Sequence, residues 1–446
     1  MSRPSGTRSL AVWMNGERVG TWTLRRGEQL FHYAPEWLAS PLRRPLSLSM
    51  PLRPSDAPYR TEVVQPWFDN LLPDSDDIRR RMMTRFGTRT SDAFDLLEEV
   101  GRDCVGAVQL LPEEAEPPDV RLIRGHRLTP SAIGQVLARV RTPSMGSRDG
   151  DDFRLSLAGA QEKTALLRHE GAWWIPEGTT PTTHIFKLPM QAHDSASPDL
   201  STSVENEWLC AQILSAFDIP CARCEIRTFA EQKALVVERF DRALSSDGTW
   251  IIRRPQEDLC QATRTPPARK YESQGGPGIV QLMEVLHGSS RAAADREDFF
   301  RTQFLFWLLC AIDGHAKNFS VFIEPEGRFH LTPRYDVLSA YPFLGRRQNQ
   351  LSRQKVKMAM AVLGKNRHYR WKEIHVDHWL ETGRRCGLPG AGRAVLESVL
   401  ARAPAALRKV EDRLPASFPE SVSVPILDGL DAAVNAAEAA LAKSKS

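Results

Sequence analysis

Asp313-Gly-His-Ala-Lys-Asn318 sits between a nearly all-apolar run, 304–312, and Phe319-Ser-Val-Phe-Ile323, which alternates like a strand. An Asp followed five residues later by an Asn is the spacing of a kinase catalytic loop. There the Asp accepts the proton of the attacking hydroxyl and the Asn holds Mg²⁺ on the ATP phosphates. A loop pinned between a buried helix and a sheet is a rigid mount. Phosphoryl transfer depends mostly on positioning and charge stabilisation, so rigidity matters. The same residues would also serve as a capping Asp and a turn Asn, so the reading rests on what accompanies them.

Two companions follow in the expected order. Arg334-Tyr335-Asp336-Val337 comes eighteen residues after Asn318, beyond the second strand of a hairpin read over 319–323 and 329–332 with its turn at 325–327. A kinase keeps its second metal-binding Asp there, although Asp-Phe-Gly reads Asp336-Val-Leu here. Upstream, His184-Ile-Phe-Lys187-Leu-Pro is a short apolar run with one Lys. That is the form of the strand lysine that neutralises the α- and β-phosphates.

Composition narrows the setting. A chain of 446 residues predicts two to three domains. With 41% hydrophobic and 26% charged residues it reads as an ordinary globular protein. The net charge of +4 neither demands nor excludes nucleic acid; patches decide that. Seven scattered cysteines, an odd number, predict a reducing compartment and no disulfide framework. A single Cys221-Ala-Arg-Cys224 without a second pair argues against zinc. The first residues carry no apolar signal core, and the run 304–312 is too short to span a bilayer. The expectation is a cytoplasmic protein without membrane contact.

Along the chain, Asn15-Gly16 between two alternating runs, 10–14 and 19–24, predicts a hairpin. The segment 45–52 alternates again and reads as a strand. Helices are predicted over 75–86, stopped by Gly87, and over 93–100, with a strand over 105–111. A boundary falls near 112–120 and a second linker at 141–152. Between about 153 and 242 lies a β-rich lobe with one helix, 203–217, whose Thr202 and Glu205 are spaced for a capping box. From about 250 onward the chain is mainly helical, ending in an Ala-rich helix over 427–442. The predicted class is α+β: a two-lobed protein-kinase-like fold over 150–245 and 246–446, with an α/β segment, 1–112, packed on the small lobe.

Further candidates complete the site. Ala158-Gly159-Ala160, at a turn after 153–157, would let backbone N–H groups approach phosphate oxygens. With Glu205 assigned to the helix cap, Glu207 is the better carboxylate partner for Lys187. The backbone of Glu238 and Phe240, at the end of an apolar strand, would offer hinge contacts to adenine. His315 and Lys317, inside the loop, join the ATP-binding set. Lys365-Asn-Arg367-His-Tyr-Arg370-Trp-Lys372 is basic with interleaved aromatics, a pattern that fits nucleic-acid phosphates or a solvated face.

Taken together these stretches resemble the HipA family of bacterial serine/threonine kinases, the toxin halves of toxin–antitoxin pairs. The resemblance also rests on Phe68-Asp-Asn-Leu-Leu-Pro-Asp-Ser75, Val100-Gly-Arg-Asp-Cys-Val-Gly-Ala107, Ser156-Leu-Ala-Gly-Ala-Gln-Glu-Lys-Thr164, Glu238-Arg-Phe-Asp-Arg242, Pro255-Gln-Glu-Asp258, Lys270-Tyr-Glu-Ser273 and Gly275-Gly-Pro-Gly278. It implies Asp313 as catalytic base, Asn318 and Asp336 as Mg²⁺ ligands, and Lys187 on ATP. It implies that Ser156 is autophosphorylated as an off-switch. It further implies a small helix-turn-helix antitoxin (HipB-like), operator DNA bound through the complex, and a cytosolic translation component as substrate, typically glutamyl-tRNA synthetase. Two other readings stand beside it: a lipid or small-molecule kinase, and a catalytically dead corepressor.

Overall fold

The computed structural model describes residues 6–141, 161–191 and 197–444. The chain divides into two compact units: 1–188 with 227–268 and 320–329, and 189–226 with 269–319 and 330–446.

The first unit opens with the expected hairpin. Strands β1 (Thr7–Met14) and β2 (Glu17–Arg25) join at Asn15 and Gly16, with φ of 47° and 88°. Positive φ at both central residues is what a type I′ turn requires. Strand β3 (Glu28–Tyr33) and the returning β4 (Val108–Pro112) complete a sheet of order β3-β2-β1-β4. Helices Thr61–Asp69 and Ala93–Val100 supply Trp67, Phe68, Phe94 and Leu97 to the same core as Trp22 and Phe31. Trp22 stacks on Phe68 with centroids 3.9 Å apart. Helix Asp76–Phe86 starts at Ser75, whose hydroxyl accepts from the Ile78 N–H, and stops at Gly87 in the left-handed region.

The segment 45–52 is not a strand. It forms a local turn with a single bridge between Ser47 and Met50. The Ser47 hydroxyl accepts from the Ser49 N–H and pairs with the Ser49 hydroxyl, while the Leu48 N–H is taken by Glu257. Short polar side chains that bond their own backbone compete with a ladder, and here they win.

The second sheet of this unit has the order β5-β7-β6-β8-β10-β9. Its strands are β5 (Gly125–Leu128), β6 (Lys163–His169), β7 (Ala172–Pro176), β8 (His184–Lys187), β9 (Cys224–Phe229) and β10 (Gln232–Glu238). Ile133 and Leu137 of helix Pro130–Arg141 pack with Leu166, Phe186 and Val236 of that sheet. Strands β11 (Arg242–Leu244) and β12 (Ile251–Arg253) pair with each other. A last small sheet runs β13-β14-β15, from β13 (Gln256–Asp258), β14 (Ser320–Ile323) and β15 (Phe329–Leu331). The expected strand over 153–157 lies outside the described residues.

What joins the N-terminal segment to the second sheet is a buried charge network. Asp103, in the loop after helix Ala93–Val100, accepts from Arg242 at 2.8 Å, Arg253 at 3.3 Å, Arg239 at 3.4 Å and the Thr182 hydroxyl at 2.7 Å. Asp241 accepts from Arg239 at 2.8 Å, Arg242 at 3.0 Å and the Gly106 N–H at 2.7 Å. Burial alone would raise both carboxyls; the surrounding guanidiniums hold them below the usual carboxylate range. Gly106 is required where it stands: its φ is +75°, and a Cβ would come within 2.8 Å of the Gln256 carbonyl. These residues account for two of the signature stretches, 100–107 and 238–242.

The second unit is mainly helical: Ser203–Ala216, Ile279–His287, Ala292–Leu308, Val376–Arg385, Arg393–Glu411 and Glu420–Lys443. A hairpin of β16 (Lys357–Leu363) and β17 (Arg367–Arg370) interrupts them. The terminal helix starts seven residues before the alanine-rich stretch read from sequence. Helix Ser203–Ala216, read above with the β-rich lobe, belongs to this unit by its contacts. Among the described residues no helix is long and apolar enough to cross a membrane, and all seven cysteines are free thiols.

Candidate active site

The loop 313–318 hangs from the end of helix Ala292–Leu308, whose Phe299, Phe300, Phe304, Leu305 and Leu308 are buried. The chain reverses at Cys310, in the left-handed region with φ 50°, and the Ala311 N–H bonds the Phe306 carbonyl at 2.8 Å. Gly314 then passes close over Phe306; a Cβ there would sit 2.6 Å from the ring. A Gly after the Asp is therefore a packing requirement.

Within the loop, the His315 N–H bonds the Asp313 carbonyl at 2.8 Å and the Asn318 N–H bonds the His315 carbonyl at 2.9 Å. The Asn318 Nδ2 donates to the Asp313 carbonyl at 2.9 Å. This spends the amide nitrogen on the loop and leaves the amide oxygen as the atom suited to a cation. Asn318 and its neighbours His315 and Lys317 are buried, whereas the Asp313 side chain is 55% exposed. One Asp313 oxygen, Oδ1, accepts from the Tyr271 hydroxyl at 2.6 Å. The other, Oδ2, lies 3.8 Å from His315 Nε2, beyond hydrogen-bond reach.

Asp336 is held to this loop through its neighbours. The Tyr335 hydroxyl donates to the Lys317 carbonyl at 3.0 Å. Arg334, 1% exposed, pairs with Asp298 and bonds Thr302 of the helix that carries the loop. Past Asp336, Ser339 and Asn206 exchange two hydrogen bonds of 2.8 Å, and the Ser339 hydroxyl reaches the Leu309 carbonyl at 2.7 Å. Asp336 itself adopts φ 60°, a left-handed conformation that Asp tolerates better than most residues. An amide oxygen and a carboxylate on braced backbone are the hard donors Mg²⁺ takes, usually with phosphate oxygens and water completing the shell.

The other predicted residues fall elsewhere. Lys187 ends β8 in the first unit and is buried. Glu238 and Phe240 also belong to the first unit: Glu238 closes β10 opposite His184, and the Phe240 ring meets Phe322 edge-on at 5.9 Å. Ser156, Ala158, Gly159 and Ala160 lie outside the described residues. Thr202 makes no capping bond, so the predicted capping box does not form. With φ −96° and ψ 16° it is not extended, and its hydroxyl is not aimed at the first-turn N–H groups. Eleven of the helix's fourteen residues are buried, Glu205 and Glu207 among them.

The basic run is strand β17 and the turn after it. Arg367 Nε lies 3.2 Å from Glu272, and Arg370 pairs with Glu373 at 3.0 Å. Two of its cations thus already face carboxylates, while Lys365 and Lys372 are exposed.

Sequence reasoning missed Tyr271, Arg334, Asn206 and Ser339. Tyr271 lay within a quoted stretch, but its partner is 42 residues away and no spacing rule connects them.

Residues 155–407 match the family described as the HipA-like C-terminal domain, and residues 10–111 the HipA N-terminal domain. The chain is 33% identical over 417 residues to the putative kinase Y4mE of Sinorhizobium fredii, covering 91% of this chain and 92% of that protein. It is 28% identical over 321 residues to the serine/threonine-protein kinase toxin HipA of Shewanella oneidensis, 69% of each. Its fold resembles a chain in the Shewanella oneidensis MR-1 complex of HipA, HipB and operator DNA. The TM-score is 0.79 and the identity 22%, over 97% of this chain and 98% of that one.

Proposed function

The chain belongs to the HipA family and is a serine/threonine-protein kinase of the toxin–antitoxin type, and we propose that Asp313 is the base of its phosphoryl-transfer site. The observation that carries this is the bracing of Asp313, Asn318 and Asp336 on one loop and its neighbours, through Asn318 to Asp313 and Tyr335 to Lys317. Bound ATP·Mg²⁺ would supply the transferable phosphoryl group and the cation that offsets its developing charge. Asn318 Oδ1 and the Asp336 carboxylate would hold the cation. The exposed Asp313 carboxylate would accept the proton of the acceptor hydroxyl. Lys187 would neutralise phosphate charge, with Glu207 as its partner, and the strand end at Glu238 and Phe240 would receive the base.

On the same reading Ser156 is an autophosphorylation site. A phosphoserine carries about −1.5 to −2 charge, placed where the ATP phosphates must sit, and so acts as an off-switch. The partner would be a small helix-turn-helix antitoxin, and operator DNA would be met through that complex. The acceptor would be a cytosolic translation component, with glutamyl-tRNA synthetase the first protein to try.

The test is transfer of labelled γ-phosphate from ATP into a cytosolic lysate, wild type beside Asp313→Ala. A discrete labelled protein that vanishes in the variant is expected, with a loss of 10²-fold or more and with ATP binding retained. Near-normal labelling by Asp313→Ala would overturn the assignment.

A further inference from the structure

One stretch of the second unit has no part in the site as proposed above: Lys270-Tyr-Glu-Ser273 with Gly275-Gly-Pro-Gly278. In the structure it is a tight knot. The Tyr271 carbonyl accepts from the N–H groups of both Gln274 and Gly276 at 3.0 Å, and Gly275 turns the chain at φ +93°. Gly276 lies so close to residue 269 that a Cβ would fall 2.1 Å from the Arg269 carbonyl. Gly278 makes room for the Glu272 carboxyl, which a Cβ would meet at 2.4 Å. That carboxyl is itself bolted down: one oxygen accepts from the Ala361 N–H of β16 at 2.6 Å, and the other faces Arg367 of β17 at 3.2 Å.

All of this fixes the residue between Lys270 and Glu272. The Tyr271 ring stands edge-on to the buried His315, centroids 5.1 Å apart, and its hydroxyl donates to Asp313 Oδ1 at 2.6 Å. A half-exposed carboxylate on a short side chain would otherwise rotate about χ2, since that torsion is broad. Held by one oxygen, it presents the second in a single direction. A base must lie within hydrogen-bond reach of the proton it takes, and errors of about 1 Å can cost on the order of 10²-fold in rate.

We propose that Tyr271 is a positioning residue for phosphoryl transfer, whose hydroxyl locks Asp313 Oδ1 so that Oδ2 meets the acceptor hydroxyl. The glycines at 275, 276 and 278 and the pinned Glu272 are the mount that keeps the phenol in place. The proposal rests on Asp313 being the base, and its test separates the two.

The measurement is the initial rate of ADP formation from ATP, with water as acceptor, by the purified full chain whose intact mass shows no phosphate already attached. It compares wild type, Tyr271→Phe, Asp313→Asn and the double variant. Tyr271→Phe keeps the ring on His315 and removes one hydroxyl. It is expected to lower kcat about ten-fold or more with KM for ATP unchanged. In the Asp313→Asn background the same change is expected to have no further effect, because nothing is left to orient. An unchanged kcat in Tyr271→Phe, or an equal loss in both backgrounds, overturns the role of Tyr271 and leaves Asp313 as base. Wild-type turnover in Asp313→Asn overturns the reading beneath it, as does the absence of turnover in wild type whose intact mass shows no phosphate. Should Tyr271→Phe raise KM for ATP with kcat intact, the hydroxyl serves nucleotide binding and the proposal fails on that count.

Discussion

At the scale of single residues, one carboxyl stands out from the rest. Glu257 is wholly buried in β13; it accepts from the Leu48 N–H at 2.7 Å and from Trp67 Nε1 at 3.0 Å. Burial pushes it up from 4.5 to about 8, and the hydrogen bonds only partly offset this. An acid with a raised folded value binds its proton more tightly when folded. Its contribution to stability is therefore complete below the unfolded value of about 4.5, and is lost as pH rises toward 8. Between pH 5 and 8 the wild type should lose more thermal stability than Glu257→Gln, measured by melting temperature across the series. Parallel curves would mean that Glu257 is ionised throughout. No sequence rule announces such a residue: Pro255-Gln-Glu-Asp258 entered only as part of the family resemblance, and only the fold shows that Leu48 and Trp67 arrive from some two hundred residues away. Asp313 and Asn318 were legible because their relation is local, and Tyr271 was not because its relation to them is tertiary.

Elements were read best where their signals are self-contained. The Asn15-Gly16 turn, the helix read over 75–86 with its Gly87 stop, and helix Ala93–Val100 follow from residues within one or two turns of each other. The reading failed where side chains answer to distant backbone, as at 45–52, or where the local backbone misses the cap geometry, as at Thr202. The β16–β17 hairpin stands between these cases. Its pattern suggested a nucleic-acid contact, and the structure adds that Arg367 and Arg370 face Glu272 and Glu373. The Arg370–Glu373 pair is exposed on both sides and worth about 0–1 kcal/mol, so a polyanion would displace it at little cost. The Glu272 side chain, by contrast, is only 12% exposed and is also held by the Ala361 N–H. If the hairpin meets operator DNA in the antitoxin complex, neutralising Lys365, Arg367, Arg370 and Lys372 should flatten the salt dependence of binding by up to four phosphate contacts' worth. An unchanged salt slope would return the run to a solvated face.

Over the whole molecule, the first unit is held by charge as well as by its apolar cores. Three guanidiniums and two carboxylates, each side chain at most 6% exposed, meet between the N-terminal segment and the second sheet. A buried network of this kind is weak support for stability, but removing one partner strands the others. Asp103→Asn leaves three buried arginines with one carboxylate, and should cost about 3–5 kcal/mol in chemical unfolding of the full chain. A cost below about 1 kcal/mol would mean that water already reaches the cluster. The network ties Asp103 of the N-terminal segment to Arg239, Arg242 and Arg253.

That bracing also bears on how such a gene can change. Asp103 lies in the part matching the HipA N-terminal domain, while Arg239, Asp241, Arg242 and Arg253 lie in the part matching the C-terminal domain. Two protein families that meet only at a surface can be shuffled by recombination, each carrying its own solvated face to a new neighbour. Here a crossover between the two would deliver uncompensated charge into a dry interior. Exchanging one half alone should therefore destabilise the chain unless the matching residues of the network travel with it.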